Sequence, residues 1–71
     1  MTPKQLRALR ARTKLSQASF AHLCHVGEGT ISRWERETGG KGRKIHPLSA
    51  AGIVDCINRE YGYGLEAGDY V

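Results

Sequence analysis

Between residues 15 and 36, in the run LSQASFAHLCHVGEGTISRWER, a helical pattern of apolar residues breaks off and restarts in a new phase. Leu15, Phe20, Ala21 and Cys24 keep the spacing of one helix face up to residue 24. The pattern lapses over His25–Gly27, next to Val26, and resumes with Ile31 and Trp34. Two short helices joined by a tight turn account for both halves. That is how a helix-turn-helix appears in sequence, and it is the segment whose residue types and spacing together point to a function.

The flanking signals supply the other helices. Thr2, Pro3 and Gln5 form a Thr-x-x-Gln capping box with proline in the first turn, predicting a helix over Pro3–Arg12 with Leu6 and Leu9 on its core side. Lys4, Arg7, Arg10 and Arg12 fill its other sides. Ser16 is placed to cap a second helix over Gln17–Cys24, and Leu15 and Phe20 to staple its entry. Gly27 caps a third helix over Glu28–Glu37, with Glu28 where the helix dipole favours negative charge. Residues 38–46, TGGKGRKIH, form a glycine-rich basic loop. Pro47 then opens a fourth helix to about Glu60, with Leu48, Ala51, Val54 and Ile57 available to close the core and Gly52 weakening its middle. The domain is therefore set at residues 1–60. The glycine-spaced segment 61–71 is a frayed tail or an arm that pairs across a dimer.

Length and charge narrow the classes available. A chain of 71 residues buries only about 60 % of its unfolded surface, so stability is modest unless a partner contributes. No apolar run approaches the roughly 20 residues of a membrane span, and the N-terminus lacks a signal-peptide core, which points to a soluble, intracellular protein. The net charge of +4 is unevenly distributed. Residues 1–44 carry ten Lys/Arg against three Asp/Glu, and residues 45–71 one against four. A basic part beside an acidic one suits a polyanion-binding face, with ordinary solubilising surface as the alternative.

In a helix-turn-helix the second helix enters the DNA major groove, and side chains of its first two turns reach base edges. Those positions hold Gly27, Glu28, Gly29, Ser32 and Arg33. Arg33 can bond in bidentate fashion to guanine or clamp a phosphate. Ser32 can donate or accept. Glu28 can accept from a cytosine amino group, or serve only its own helix terminus. Glycine at 29 removes bulk. Gln17 and Thr30, near helix starts, can hold phosphates, and Arg36, Lys41, Arg43 and Lys44 add phosphate-neutralising charge.

Over residues 3–36 the chain resembles the helix-turn-helix family of lambdoid phage repressors and Cro proteins, the XRE or Cro/C1 family. The matching residues are Leu15-Ser16-Gln17, Phe20-Ala21, Val26 and the run Thr30-Ile31-Ser32-Arg33-Trp34-Glu35-Arg36. The resemblance implies an all-α, compact four- to five-helix bundle of the lambda-repressor kind, with Gln17 on phosphate and the third helix reading bases. It also implies a buried ion pair between Arg10 and Glu35. The run VGEGTISRWERE is similar to the DNA-binding half of MqsA-type antitoxins as well, without their zinc domain or toxin-binding region. Two positions depart from the family pattern. His25 stands where a glycine usually makes the left-handed turn, a conformation histidine tolerates better than most residues. Glu37 stands where glycine commonly ends the third helix, which implies a helix running on to Gly39.

Other chemistries fit poorly. His22, Cys24, His25, His46 and Cys56 lack zinc-ligand spacing, so no metal and no cofactor is expected. No nucleophile–base pairing or cleft is foreseen, so no enzyme. Cys24 and Cys56, 32 residues apart, are expected as thiols, with Cys24 on an apolar face. Tyr61, Tyr63 and Tyr70 could stack on single-stranded bases, but their acidic setting favours core or dimer packing. The expected function is a transcriptional regulator, a repressor from a phage, plasmid or other mobile element, acting in the bacterial cytoplasm. It would bind double-stranded operator DNA as a homodimer. The rival is an antitoxin or anti-repressor whose residues 61–71 bind a protein partner. For the loop cations, Lys41→Ala or Arg43→Ala should weaken binding to all DNA alike and lower the slope of log K against log salt by about one unit each. An unchanged slope in salt-titrated binding isotherms would place them in solvent.

Overall fold

The computed structural model describes residues 1–36 and 45–70. Four α-helices make up the described chain: α1 (Pro3–Thr13), α2 (Gln17–Leu23), α3 (Glu28–Glu35) and α4 (Pro47–Tyr61). A 3-10 turn over Ala67–Tyr70 follows. There are no strands among the described residues.

Local chemistry accounts for the boundaries. At the start of α1 the Gln5 N–H donates to Thr2 Oγ1 at 3.1 Å, and the Thr2 N–H donates to Gln5 Oε1 at 2.8 Å, closing the capping box. The helix ends at Lys14, which takes the left-handed conformation (φ 61°) and donates its N–H to Ala11 O. Ser16 Oγ accepts from the Ser19 N–H at 3.1 Å and caps α2. That helix closes on a Schellman motif, a left-handed cap in which the two following N–H groups fold back onto the last turn. The N–H of His25 donates to His22 O at 3.2 Å, and that of Val26 to Ala21 O at 3.0 Å. His25, at φ 58°, occupies the left-handed position itself. The helix is one residue shorter than the periodicity suggests because Cys24 is its cap.

The third helix, expected to reach Glu37, ends earlier, and residues 37–39, onto which it was expected to run, lie outside the described residues. Arg36 is already extended (ψ 116°), so α3 stops at Glu35. The cause lies outside the helix: Arg7 Nη1 donates to Glu35 O at 2.6 Å and occupies a carbonyl at the C-terminal end of α3.

The core gathers Leu6 and Leu9 of α1, Phe20 and Ala21 of α2, Ile31 of α3 and Ala50, Ile53, Val54 and Ile57 of α4, with Met1 and Ile45 alongside. The N–H of Ile45 donates to Met1 O at 2.7 Å, joining the chain start to the segment before α4. Leu48, expected to close the core, is instead 79 % exposed. The buried face of α4 runs 50, 53, 54, 57, and two positions before 50 the helix has turned Leu48 away from it. Ala51 is half-buried, and Gly52 does not interrupt the helix.

Residues 62–70 fold back onto the same chain. Gly62 ends α4 with φ 64°. Asn58 then clamps the return, its Nδ2 donating to Leu65 O at 2.9 Å and its Oδ1 accepting from the Leu65 N–H at 2.7 Å. Gln5 Nε2 donates to Asp69 O at 3.0 Å, and the Arg12 guanidinium lies 4.1 Å from the centre of the Tyr63 ring. Gly52 is exposed within α4, and a Cβ there would meet nothing within 4 Å. Gly52→Ala should therefore raise stability by about 0.5–1 kcal/mol, read as a higher urea midpoint at unchanged slope.

Candidate nucleic-acid interface

The outer face of α3 is set by its inner face. Ile31 and Glu35 are buried, four residues apart, and Trp34 packs partly against the core. At 100° per residue, Gly29 and Arg33 then fall on the opposite side with Ser32 at its flank, whereas Glu28 shares the angular side of Glu35 and reaches solvent as the first residue of the helix. Glu28, Gly29 and Arg33 are exposed and Ser32 is half-exposed. Gly27 caps the helix with its carbonyl, which accepts from Thr30 N at 3.0 Å and Ile31 N at 3.2 Å. A Cβ on Gly29 would meet nothing within 4 Å, and one on Gly27 only Thr30 Oγ1 at 3.6 Å. Neither glycine is required by packing against the described residues, and both φ angles are negative. Gly29 costs α3 about 1 kcal/mol of helix propensity with no internal return.

Beneath this face lies a polar junction of three helices. Glu35, 5 % exposed, accepts from Arg10 Nε at 2.6 Å and from Arg10 Nη2 at 2.9 Å, a bidentate pair between α1 and α3. Gln17 Nε2, at the start of α2, donates to Glu35 Oε1 at 3.3 Å. Arg10 Nη1 reaches Leu15 O at 3.1 Å, just before α2. Burial pushes the Glu35 carboxyl up, but the hydrogen bonds from Arg10 and Gln17 and the charges of Arg10 and Arg7 outweigh it and hold the group below its ordinary 4.5. The bond to Glu35 raises Arg10 above its ordinary value, against the opposing effect of burial. No buried side-chain nitrogen or oxygen among the described residues lacks a partner.

The structure thus brings Arg10, Gln17 and Glu35 together and arrays Gly29, Ser32 and Arg33 along one side of α3, with Glu28 exposed at its first turn. Gln17 is half-buried with its amide turned to Glu35, Thr30 is half-buried in the first turn of α3, and Arg36 is exposed beyond its end. Lys41, Arg43 and Lys44 lie outside the described residues. Sequence reasoning missed Arg7 as the residue that ends α3. Its signal was position: it precedes Arg10 by three residues and so shares the side of α1 that meets α3.

Charge is sorted by element. Lys4, Arg12, Lys14, Arg33 and Arg36 are exposed on or beside α1–α3, whereas Asp55, Glu60, Glu66 and Asp69 are exposed on α4 and the segment after it. Two clefts among the described residues lie away from the outer face of α3. One is lined by α1 and the 3-10 turn, the other by the α2–α3 turn, Trp34 and α4. Among the described residues no group of three or more His, Cys, Asp or Glu could hold a metal ion, and no helix is long and apolar enough to cross a membrane.

Compared with protein-family models, with curated proteins and with solved structures, the chain matches none.

Replacing Glu35 by glutamine should cost about 2–3 kcal/mol at pH 7, less than for a fully buried pair because the Arg10 side chain is 24 % exposed. The depressed folded-state value means that the carboxylate stabilises the fold above pH 4.5 and that this contribution is lost as pH falls through the folded value. Urea unfolding at pH 7 and pH 3 should therefore separate wild type from Glu35→Gln widely at the first and narrowly at the second.

Proposed function

We propose that the chain is a sequence-specific DNA-binding transcriptional regulator of the lambda-repressor-like helix-turn-helix kind, with α3 as the reading helix. The observation that carries this is the outer face of α3: Gly29, which no described residue requires, beside Ser32 and Arg33, with Glu28 exposed at the helix start, on a helix fixed from behind by Ile31 and Glu35. Eight residues of helix are about 12 Å long and, with side chains, about 10–12 Å across, a size the roughly 12 Å-wide major groove admits. The absence of a Cβ at position 29 allows the α3 backbone to approach base edges. Arg33 is assigned to a guanine, Ser32 to a neighbouring base edge and Glu28 to a cytosine amino group. Gln17 is assigned to phosphate by the N–H that Glu35 does not engage, with Thr30 and Arg36 on the flanking phosphates.

Several features support this reading. Most exposed basic residues lie on or beside α1–α3 and most exposed acidic ones on α4 and the segment after it, Glu28 and Arg59 being the exceptions, and among the described residues the buried carboxylate of Glu35 is neutralised by Arg10. One short helix in one groove supplies limited affinity, so the regulator acts as a symmetric homodimer on a palindromic operator, its half-sites about 34–36 Å apart. α4, where Leu48 is exposed, is the surface available to the second copy. Repression follows sterically, by occupation of DNA that polymerase needs, inside a bacterial cell.

Selection from a random duplex library should enrich a palindrome bound at least about three orders of magnitude more tightly than bulk DNA. On that site Arg33→Ala should cost about 1–3 kcal/mol and flatten discrimination at one base pair per half-site. An equal loss on every sequence would assign Arg33 to phosphate. Failure to enrich any sequence would overturn the reading.

A further inference from the structure

The structure places the chain's two cysteines side by side, on elements that no other covalent or ionic link joins among the described residues. Cys24 is the C-cap of α2, immediately before the left-handed His25. Cys56 stands in α4, and its thiol donates to Leu23 O at 3.1 Å, the carbonyl just before Cys24. Both side chains line one open cleft of ≈ 200 Å³, shared with His25, Trp34, Gly52 and Arg59. Cys56 also acts on Cys24 as a hydrogen-bonding neighbour. Gly52, one turn before Cys56, has no side chain to cover the pair from α4. Both cysteines are free thiols, Cys24 half-buried and Cys56 buried.

We propose that Cys24 and Cys56 are a two-electron redox pair, and that a peroxide joins them in a disulfide tying the α2–α3 turn to α4. The half-buried Cys24 is reached first from the cleft. Its thiolate sulfur attacks the peroxide O–O bond, forming an S–O bond and releasing one oxygen as water once protonated. Cys56 then attacks the sulfur of the resulting sulfenic acid, forms the S–S bond and expels the second oxygen as water. The two thiols together lose two electrons and two protons, and one peroxide is reduced to two waters. Cys56 needs only to exchange the Leu23 carbonyl for the neighbouring sulfur.

Burial first, then the charge and hydrogen bonding of Cys56, push the Cys24 thiol up to about 12, so the attacking Cys24 is protonated and slow to react at neutral pH. The other titratable groups facing it are His25 on the turn and Arg59 on α4, the latter paired with Asp55 at 3.4 Å. The pair is a high-threshold device that answers sustained oxidation. It stands independently of the DNA reading.

The test is hydrogen peroxide treatment of the full chain, followed by alkylation, intact mass and peptide mapping. The expected product is a monomer about 2 Da lighter than the reduced chain, with a Cys24–Cys56 peptide, reversed by dithiothreitol. Its rate should rise about tenfold per pH unit between pH 7 and 10, where an ordinary thiol would level off near 9.0. The oxidised form should melt on the order of 10 °C higher. Cys24→Ala, checked for helicity, should abolish the product. Two thiols still open to alkylation, oxygen adducts on Cys24 alone, or disulfides between chains would each overturn the proposal.

Discussion

The ion pair between Arg10 and Glu35 is the interaction on which the arrangement of the first three helices depends. Glu35 is nearly devoid of solvent contact, and an unpaired carboxylate there would be too costly to keep ionised. Arg10 meets both its oxygens, and Gln17 shares one of them. The same glutamate therefore receives a side chain from α1 and another from α2, while its own backbone carbonyl receives Arg7. A bidentate guanidinium–carboxylate contact fixes angle as well as distance. The helix with the exposed Glu28–Arg33 face is thereby registered against two others through a single residue at its end.

Around that junction the apolar core is small, and hydrogen bonds position what it does not cover. Asn58 replaces a missing turn by pairing both its amide groups with the backbone of Leu65, and Gln5 holds the carbonyl of Asp69. Tyr63 lies on the Arg12 guanidinium and stacks with Tyr61, ring centres 5.4 Å apart. The acidic segment after α4 is thus fastened to its own chain along α1. That position uses the tyrosines as packing surface and leaves the outer side of α3 open.

Much of the fold was legible from neighbouring residues. The capping box at Thr2–Gln5, the Ser16 cap, the Gly27 cap and the Pro47 start depend on groups within four positions of one another, and each forms as its residue types dictate. The phase break located the turn over His25–Gly27, but the left-handed backbone at His25 was expected only from the resemblance to a known family. The candidate reading face was legible too, since helical periodicity assigns Gly29, Ser32 and Arg33 to one side once Ile31 is placed inside, while Glu28 is exposed by its place at the helix start. Lys14 was not, although it adopts the same backbone as His25, since lysine carries no preference for that region.

By itself the sequence determined the helices, most of their ends and the polar character of the α3 surface, because these follow from contacts within a turn or two. The resemblance to a known family implied the pair of Arg10 and Glu35, and the tertiary structure shows it; the residues alone did not tell which arginine is internal and which merely solvated, because Arg10 and Glu35 are 25 residues apart. The same holds for the end of α3 at Glu35, whose carbonyl accepts from Arg7, 28 residues away. It holds also for the nearness of Cys24 to Cys56, the return of the C-terminal segment to α1 and the outward turn of Leu48. These are outcomes of how the helices dock. Docking depends on the summed fit of distant side chains, a quantity that no local window of the chain contains.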